Sequence, residues 1–398
     1  MNGKEKKMIN FIPHKRIKIY FCLLTISYLA AITVGLFKSS NSLYDQPIGG
    51  DFTTYWASSH MILSGHILDI YDKEKLHQVH KGVTGQDKFF AIMSYPPTYF
   101  LLIGPLAFLP YLPSLALWIG STLLLFLFVL RRIAPHPLTI WASLAFPGIF
   151  GNFVNGNNGF LSGIFLGTGL LLMKLFPFIG GLFLGLLIYK PHLAVLIPFA
   201  LIAGRCWRAL LGMMTSGIAF IMMSIMIFGI KPWLSFFKNI PFAFEALETR
   251  SLPLHEIPSV FGELLLIGID PLHARNIHII TALIAVIITV WIWWNRTHYQ
   301  LRASALAIGC LLLSPHICSH DLAILALPLA WMGFQLYTDR GSRKEQAVLV
   351  LIWLAPLFSR QIALAIHIQM MPLILFGFLF FILLKAKTYQ LLNQKSSK

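Results

Sequence analysis

The sequence predicts an all-α, polytopic membrane protein with about ten to twelve transmembrane helices, and three observations support this prediction. Of its 398 residues, 57% are hydrophobic and only 12% are charged, whereas a soluble domain contains roughly a quarter charged residues. Apolar runs recur along the whole chain, and several approach the ~20 residues that a helix needs to cross a bilayer. Because backbone groups in lipid must form hydrogen bonds within their own segment, such spans are helical.

The charge distribution agrees with a membrane location. The formal net charge of +16 comes from 31 Lys and Arg against 15 Asp and Glu, and in a soluble protein it would suggest nucleic acid. Here the positive residues cluster at the termini and in short loops, as the positive-inside rule describes. We therefore expect membrane lipids and no nucleic acid as partners. The four cysteines show no Cys-x-x-Cys spacing, so neither a disulfide framework nor a zinc site is indicated.

The first apolar run, near Ile17 to Phe37, follows a basic segment and is about as long as a full span. It lacks a small-residue cleavage site, so it is predicted to be a retained anchor and not a signal peptide. With the N-terminus in the cytoplasm, this helix delivers the chain to the outer side. The whole chain, residues 1–398, is then predicted to form one integral membrane domain, with outer loops at residues 38–94 and 231–258.

Asp51 is the first candidate for chemistry. It follows Gly49 and Gly50, at the start of a predicted short amphipathic helix from Asp51 to Ser64 that suits the membrane interface. A carboxylate at this depth is costly unless it has a partner or a function. It can cap the helix N-terminus, or it can take a proton from an acceptor hydroxyl near a lipid head group. Both interpretations remain open at this point.

Lys190 and His192 interrupt an otherwise apolar stretch from Phe178 to Ala203, and Pro191 between them breaks the helical hydrogen bonding. One interpretation is a Lys at a helix end whose charged head extends toward water. The other is a cation that faces an internal cavity and takes a phosphate.

His316 and His320 lie four residues apart, and Asp321 follows them. Two His at this spacing share a helix face and permit metal binding, but no third ligand is evident nearby. Pro315 also indicates a helix start instead of a helix interior. A cluster that contacts phosphate or sugar is favoured, since a helix N-terminus carries partial positive charge. We predict neither a metal nor a cofactor.

Three further features give weaker signals. The turn at Gly151–Asn158 could bind sugar hydroxyls, yet Asn and Gly form turns without any function. Tyr95 precedes two prolines that are typical of a rigid helix entry. Nothing in the spacing of Arg250, His255 and Glu256 distinguishes them as substrate contacts.

Four motifs follow one another along the chain: Asp51-Phe-Thr-Thr-Tyr-Trp56, Tyr95-Pro-Pro97, Lys190-Pro191, and Leu313-Ser-Pro-His316 with His320-Asp-Leu322. Each motif is loose alone, but the four in this order resemble glycosyltransferase family 87. That family has the membrane GT-C fold and includes α-mannosyltransferases that use polyprenyl-phosphate mannose.

The resemblance implies an inverting transferase in the bacterial inner membrane, with its active site facing the periplasm. The donor would be a hexose, usually mannose, on a polyprenyl monophosphate, and the acceptor a hydroxyl on a lipid or glycan. Asp51 would be the general base, and no metal would be needed. The residues expected to bind substrate are Tyr55, Trp56, Tyr95, Lys190, His192, His316, His320 and Asp321.

Two alternatives remain from the sequence. A transporter or flippase for a lipid-linked or small polar substrate would also have many spans with Lys and His among them. Against it stand the single acidic loop after the first helix and the absence of a detectable repeat, since many transporters contain repeats. A transferase that modifies lipid A or a wall polymer would share the fold and differ only in its donor.

Overall fold

The computed structural model describes residues 18–28, 30, 48–85 and 92–396, and within these ranges all regular structure is helical. Six described helices are long and apolar enough to cross a membrane, which confirms the predicted all-α polytopic class. They are Tyr111–Ile133, Trp207–Phe228, Pro271–Trp294, Ser319–Thr338, Arg343–Ile366 and Met371–Leu391.

Shorter apolar helices lie between these spans. The described part of the chain contains Lys18–Tyr28, Pro97–Phe108, Gly159–Met173, Pro177–Tyr189, Pro191–Ala203 and Tyr299–Leu313. Each is below the ~20 residues of a full span, so the number of ten to twelve spans stays a prediction. Of the predicted first span, residues 17, 29 and 31–37 lie outside the described residues.

The two predicted outer loops are largely helical where they are described. The first contains Phe52–Leu63, Ile67–Tyr71 and Lys73–Thr84, and its residues 38–47 and 86–91 lie outside the described ranges. The second contains the long helix Lys231–Glu248 and the short turn Leu254–Glu256. Leu138–Leu144, Pro147–Asn155 and Val260–Leu266 are short connecting helices.

The helix Phe52–Leu63 is more buried than its predicted amphipathic form suggests. Eight of its twelve residues are buried, and its more exposed residues include Trp56, His60 and Leu63, which are at helical spacing. Its small polar residues make this burial possible. Ser59, for example, donates to the Gly104 carbonyl at 2.7 Å and accepts from the Ala107 N–H at 2.9 Å, which satisfies a hydroxyl that would otherwise be costly to bury.

Helix starts outside the core follow ordinary capping chemistry. Asp72 accepts hydrogen bonds from the first amides of Lys73–Thr84, and Asp270 does the same for Pro271–Trp294. Ser342 and Glu345 form a capping box at the start of Arg343–Ile366. Such caps satisfy N–H groups that have no partner within the helix.

Glycine permits the closest helix contact in the bundle. Gly181, in Pro177–Gly185, faces the backbone of Ala209, and Gly212, in Trp207–Phe228, faces the carbonyl of Phe178. Neither position has room for a Cβ atom. Small residues at such contacts let membrane helices pack backbone against backbone. This packing fixes the helix that leads directly into Lys190.

Candidate active site

Asp51 lies at the start of the helix Phe52–Leu63, but its side chain makes no capping hydrogen bond. The capping interpretation is therefore wrong. Gly49 and Gly50 precede it with φ angles of 88° and 41°, in the left-handed region that favours glycine. This turn directs the carboxylate toward the Asn157 amide, which donates a hydrogen bond to Asp51 Oδ2. The Asp51 side chain keeps 44% of its surface exposed.

Asn157 joins three side chains from distant parts of the sequence. The Tyr55 hydroxyl donates to Asn157 Oδ1 at 2.9 Å. On the other side of the amide, Asn157 Nδ2 contacts Asp51 Oδ2 and lies 2.8 Å from His320 Nδ1. The amide thereby brings together a base candidate, an aromatic hydroxyl and an imidazole.

His320 lies in the first part, Ser319–Leu325, of the helix Ser319–Thr338, and this part packs against the turn before Gly159. A Cβ at Gly159 would overlap the carbonyl oxygen of His320, so only glycine allows this approach. His320 Nδ1 lies 3.7 Å from Asp51 Oδ2, and His320 Nε2 lies 3.8 Å from Asp321 Oδ2. The imidazole therefore stands between two carboxylates.

Lys190 is buried and paired inside the protein. Its ammonium lies 2.5 Å from Asp321 Oδ1 and donates to Asn158 Oδ1 at 2.9 Å. The side chains of Lys190 and Asp321 are 2% and 1% exposed. Two charges are held at such burial only when each is paired and hydrogen bonded. The interpretation of an extended Lys at a helix end is wrong, because a carboxylate from a distant helix neutralises the charge inside the protein.

Tyrosine rings form one wall beside these charges. The Tyr55 and Tyr95 hydroxyls are 3.4 Å apart, and the Lys190 ammonium lies 5.7 Å from the centre of the Tyr95 ring. Tyr99 stacks against Tyr189 with ring centres 5.2 Å apart. Tyrosine combines an apolar face with a polar end, so such a wall can contact both a sugar ring and its hydroxyls.

The surroundings of Asp51 raise the pKa of its carboxyl group above the ordinary value of an Asp side chain. Although part of its surface is exposed, protein atoms surround the carboxylate, and this burial raises the pKa of Asp51 to about 6. The negative charges of Glu256 and Asp321 also raise this pKa. The Asn157 hydrogen bond and the positive charge of Lys190 lower it.

Three predicted site residues lie further from the Asp51 carboxylate or make other contacts. Trp56 donates to the Leu109 carbonyl at 3.0 Å. His316 precedes the helix Ser319–Leu325 and contacts the Phe244 ring, 4.5 Å between centres, so it does not share a helix face with His320. His192 lies within electrostatic range of Lys190 and His320.

No candidate metal site emerges from the described part of the chain, where no three or more His, Cys, Asp or Glu residues group in a way that could hold an ion. The nearest approach to such a group is His320 with Asp51 and Asp321. Asp321 is already bonded to Lys190, and Asp51 is already bonded to Asn157.

Sequence reasoning did not identify Asn157, Asn158 or Glu256 as site residues. The predicted turn at Gly151–Asn158 is helical up to Asn155, so Asn157 and Asn158 lie in the short turn that follows the helix, where turn propensity alone accounts for them. Glu256 lies near enough to Asp51 to raise its pKa, and Arg360 binds its carboxylate at 3.2 Å. For the two Asn residues, the only signal in the sequence was that three amides, Asn155, Asn157 and Asn158, fall within four positions of an otherwise apolar segment.

A family model described as Glycosyltransferase family 87 matches residues 94–315, more than half of the chain. No curated protein and no solved structure matches the chain. The matched range contains Tyr95, Lys190 and His192, whereas Asp51 precedes it and His320 follows it. Together with the apolar helices that can cross a membrane, the match identifies the chain as a member of glycosyltransferase family 87 and a membrane glycosyltransferase.

Proposed function

We propose that this glycosyltransferase moves a hexose, with mannose the expected sugar, from a polyprenyl-phosphate donor to an acceptor hydroxyl, and that Asp51 is the general base. The observation that carries the proposal is the placement of Asp51. Among the charged groups of the cluster, Asp321 and Lys190 are buried and paired, whereas Asp51 keeps an open side. A carboxylate oriented by Asn157 and still open can accept a proton from an approaching hydroxyl.

The proposed reaction is a single displacement. The acceptor hydroxyl gives its proton to Asp51 while its oxygen bonds to the anomeric carbon of the sugar. The bond from that carbon to the phosphate oxygen breaks, and its electron pair leaves with the lipid phosphate. Because attack and departure occur on opposite faces, the anomeric configuration inverts.

Two imidazoles are the candidates for supporting the charge that develops on the leaving phosphate. His320 lies beside Asp51. His192 Nε2 is buried and has no hydrogen-bond partner among the described residues, so its hydrogen-bonding position is unused. Preorganised donors at a developing charge are a large source of catalysis. Lys190 is bonded to Asp321, so it acts on the site by neutralising that carboxylate and is not free to bind phosphate directly.

A lipid-linked donor is supported by a cavity of about 300 Å³ beside His316, whose ring contacts the lining residue Phe244. Its lining is mostly apolar and includes Phe261, Ile279 and Leu283. Arg275, which pairs with Glu248 at 3.3 Å, and His278 supply its polar part, and His278 Nδ1 is buried without a hydrogen-bond partner in the described chain. A cavity with an apolar body and a polar end suits an isoprenoid chain with a phosphate. Two other lining residues, Leu313 and Pro315, lie a few positions before the helix start at Ser319 that carries His320.

Replacement of Ile279 by Trp is expected to fill this cavity and raise the KM for a long-chain donor about tenfold. This corresponds to the loss of about two buried CH₂ groups, ~0.8 kcal/mol each. A donor with a short lipid chain should keep its KM. Ile280→Trp is the matched control, because Ile280 is the next residue, is similarly exposed and does not line the cavity. Equal effects of the two variants on the long-chain donor would contradict a lipid site here.

The orientation toward the periplasm is supported by the way the two predicted outer loops meet. Asp51 belongs to the first of these loops and Glu256 to the second, and their carboxylates are close enough to interact. The basic turns at Arg205, Arg296 and Arg340 follow other helix ends. The positive-inside rule assigns such turns to the cytoplasm, and the alternation of spans predicted from the sequence puts both outer loops on the opposite side.

The pH dependence of transfer follows from the pKa of Asp51. A base must be unprotonated to act, and burial raises the pKa of Asp51 to about 6. Initial rates should therefore be constant above this pH and fall about tenfold for each unit below it. The measurement is the initial rate at saturating donor across a buffer series. A rate that stays constant to about pH 4, the ordinary range of a carboxylate, would contradict this assignment.

The sugar is identified by a panel of polyprenyl-phosphate donors that differ only in the hexose. Purified protein is incubated with each donor and a native lipid extract as acceptor, and new covalent products are separated and weighed by mass spectrometry. Transfer from the mannose donor alone supports the proposed specificity. Transfer from another hexose keeps the reaction and changes the donor, whereas no product from any donor contradicts the proposed function.

A further inference from the structure

The amide of Asn157 lies at the centre of the polar cluster, and all its hydrogen-bonding capacity is used. Asn157 Oδ1 accepts from the Tyr55 hydroxyl at 2.9 Å and from the Asn158 backbone N–H at 2.7 Å. Asn157 Nδ2 donates to Asp51 and lies 2.8 Å from His320 Nδ1. Two lone pairs and two N–H groups are the full complement of a side-chain amide.

The orientation of this amide is settled by the protein backbone. The oxygen and nitrogen of an amide can exchange places by rotation, so their assignment depends on the neighbouring groups. A backbone N–H can only donate, and the Asn158 N–H faces one side of the Asn157 amide. That side must therefore carry the oxygen, and the NH₂ group must face Asp51 and His320.

This fixed NH₂ group imposes protonation states on both neighbours. Because it can only donate, Asp51 Oδ2 must accept, which favours the ionised carboxylate. His320 Nδ1 must also accept, so the single proton of a neutral imidazole lies on Nε2. His320 Nε2 is the nitrogen that faces Asp321 Oδ2, at 3.8 Å.

We infer that Asn157 is a positioning residue for transfer, which holds Asp51 as an oriented proton acceptor and His320 as the Nε2–H tautomer. This inference rests on the proposed role of Asp51 as general base. Asn157 acts through these two residues and needs no contact with the substrate. Its burial agrees with this role, since the side chain is only 2% exposed.

The charges around Asp51 determine the direction of the expected effect. Burial, Glu256 and Asp321 raise the pKa of Asp51, whereas Asn157 and Lys190 lower it. Loss of the Asn157 hydrogen bond removes one of the two contributions that lower the pKa of Asp51, so this pKa is expected to rise. The other titratable groups facing Asp51 are His320, Tyr55, Tyr95 and Cys318.

Asn157→Leu tests the inference because it keeps the volume and removes the amide. The acid limb of the pH–rate profile is expected to move up by about one pH unit, so that the rate falls about tenfold below about pH 6 and the loss shrinks as pH rises. A factor of this size corresponds to one hydrogen bond to a charged group. Asn295→Leu is the control, because the Asn295 side chain only donates to the Trp291 carbonyl at the end of another helix, and its profile should match the wild type. A loss that is equal at every pH, or no loss, would overturn the inference.

A second variant and a second measurement make the result independent of folding and of activity. Tyr55→Phe removes one hydroxyl that holds the amide, and it should shift the acid limb in the same direction by less. Nitrogen NMR of histidine-labelled protein reports the tautomer of His320 directly. Wild type should give Nε2–H, and Asn157→Leu a mixture. The opposite tautomer in wild type overturns the inference, whereas absence of transfer with the expected tautomer overturns only the proposed function.

Discussion

Replacement of Asp51 by Asn is expected to reduce sugar transfer by about 10²–10⁴-fold, the usual contribution of a positioned general base. Asn has the shape of Asp but its amide cannot accept the proton of the acceptor hydroxyl. Folding should be unaffected, because the side chain is partly exposed and makes no capping bond in its helix. The measurement is the initial rate with purified protein, and the unfolding temperature is recorded for the same sample.

Asp69→Asn is the matched control for this experiment. Asp69 is a carboxylate of the same predicted outer loop, and it forms an exposed ion pair with Lys75 at 2.6 Å. It has no contact with the site among the described residues. Its removal should leave the transfer rate unchanged. Full activity of Asp51→Asn at normal protein levels would exclude Asp51 as the base.

Replacement of Lys190 by Met is expected to lower the free energy of unfolding by about 3–5 kcal/mol, the usual cost of removing one partner from a buried ion pair. The variant leaves the Asp321 carboxylate uncompensated at 1% exposure. The measurement is thermal unfolding of purified protein in detergent. Lys75→Met is the control, because its pair with Asp69 is exposed and exposed pairs contribute little.

The double variant Lys190→Met with Asp321→Leu separates the pair from its individual charges. An apolar pair of similar volume often replaces a buried ion pair without loss of stability. We therefore expect the double variant to be more stable than Lys190→Met alone. If the two losses simply added, the two charges would be acting independently, which would contradict the paired arrangement.

The fold class could be predicted because it depends on composition and on the length of apolar runs. Both properties are local, and the absence of water from the bilayer leaves helices as the outcome. The helix break at Lys190 could also be predicted, since Pro191 lacks the N–H that a continuous helix needs. The burial of the helix Phe52–Leu63 could not be predicted, because its small polar residues suit the membrane interface as well as a packed protein interior.

The site was predicted in part. Asp51, Tyr55, Tyr95 and His320 were named from motifs, and the structure brings their side chains together. The pairing of Lys190 with Asp321 spans 131 positions in the chain, and no local pattern reports such a contact. Asn157 was missed for a related reason: its function comes from its neighbours in space, while its sequence context shows only a turn.

The most direct test of the proposed transfer uses a donor labelled separately in its sugar and in its lipid. Purified protein in liposomes receives this donor on one side, with acceptor present. The two labels are expected to separate one for one, the sugar moving to the acceptor and the lipid remaining as polyprenyl phosphate, and Asp51→Asn should abolish the separation. Passage of the intact donor across the membrane with both labels still joined would contradict transfer and favour a flippase.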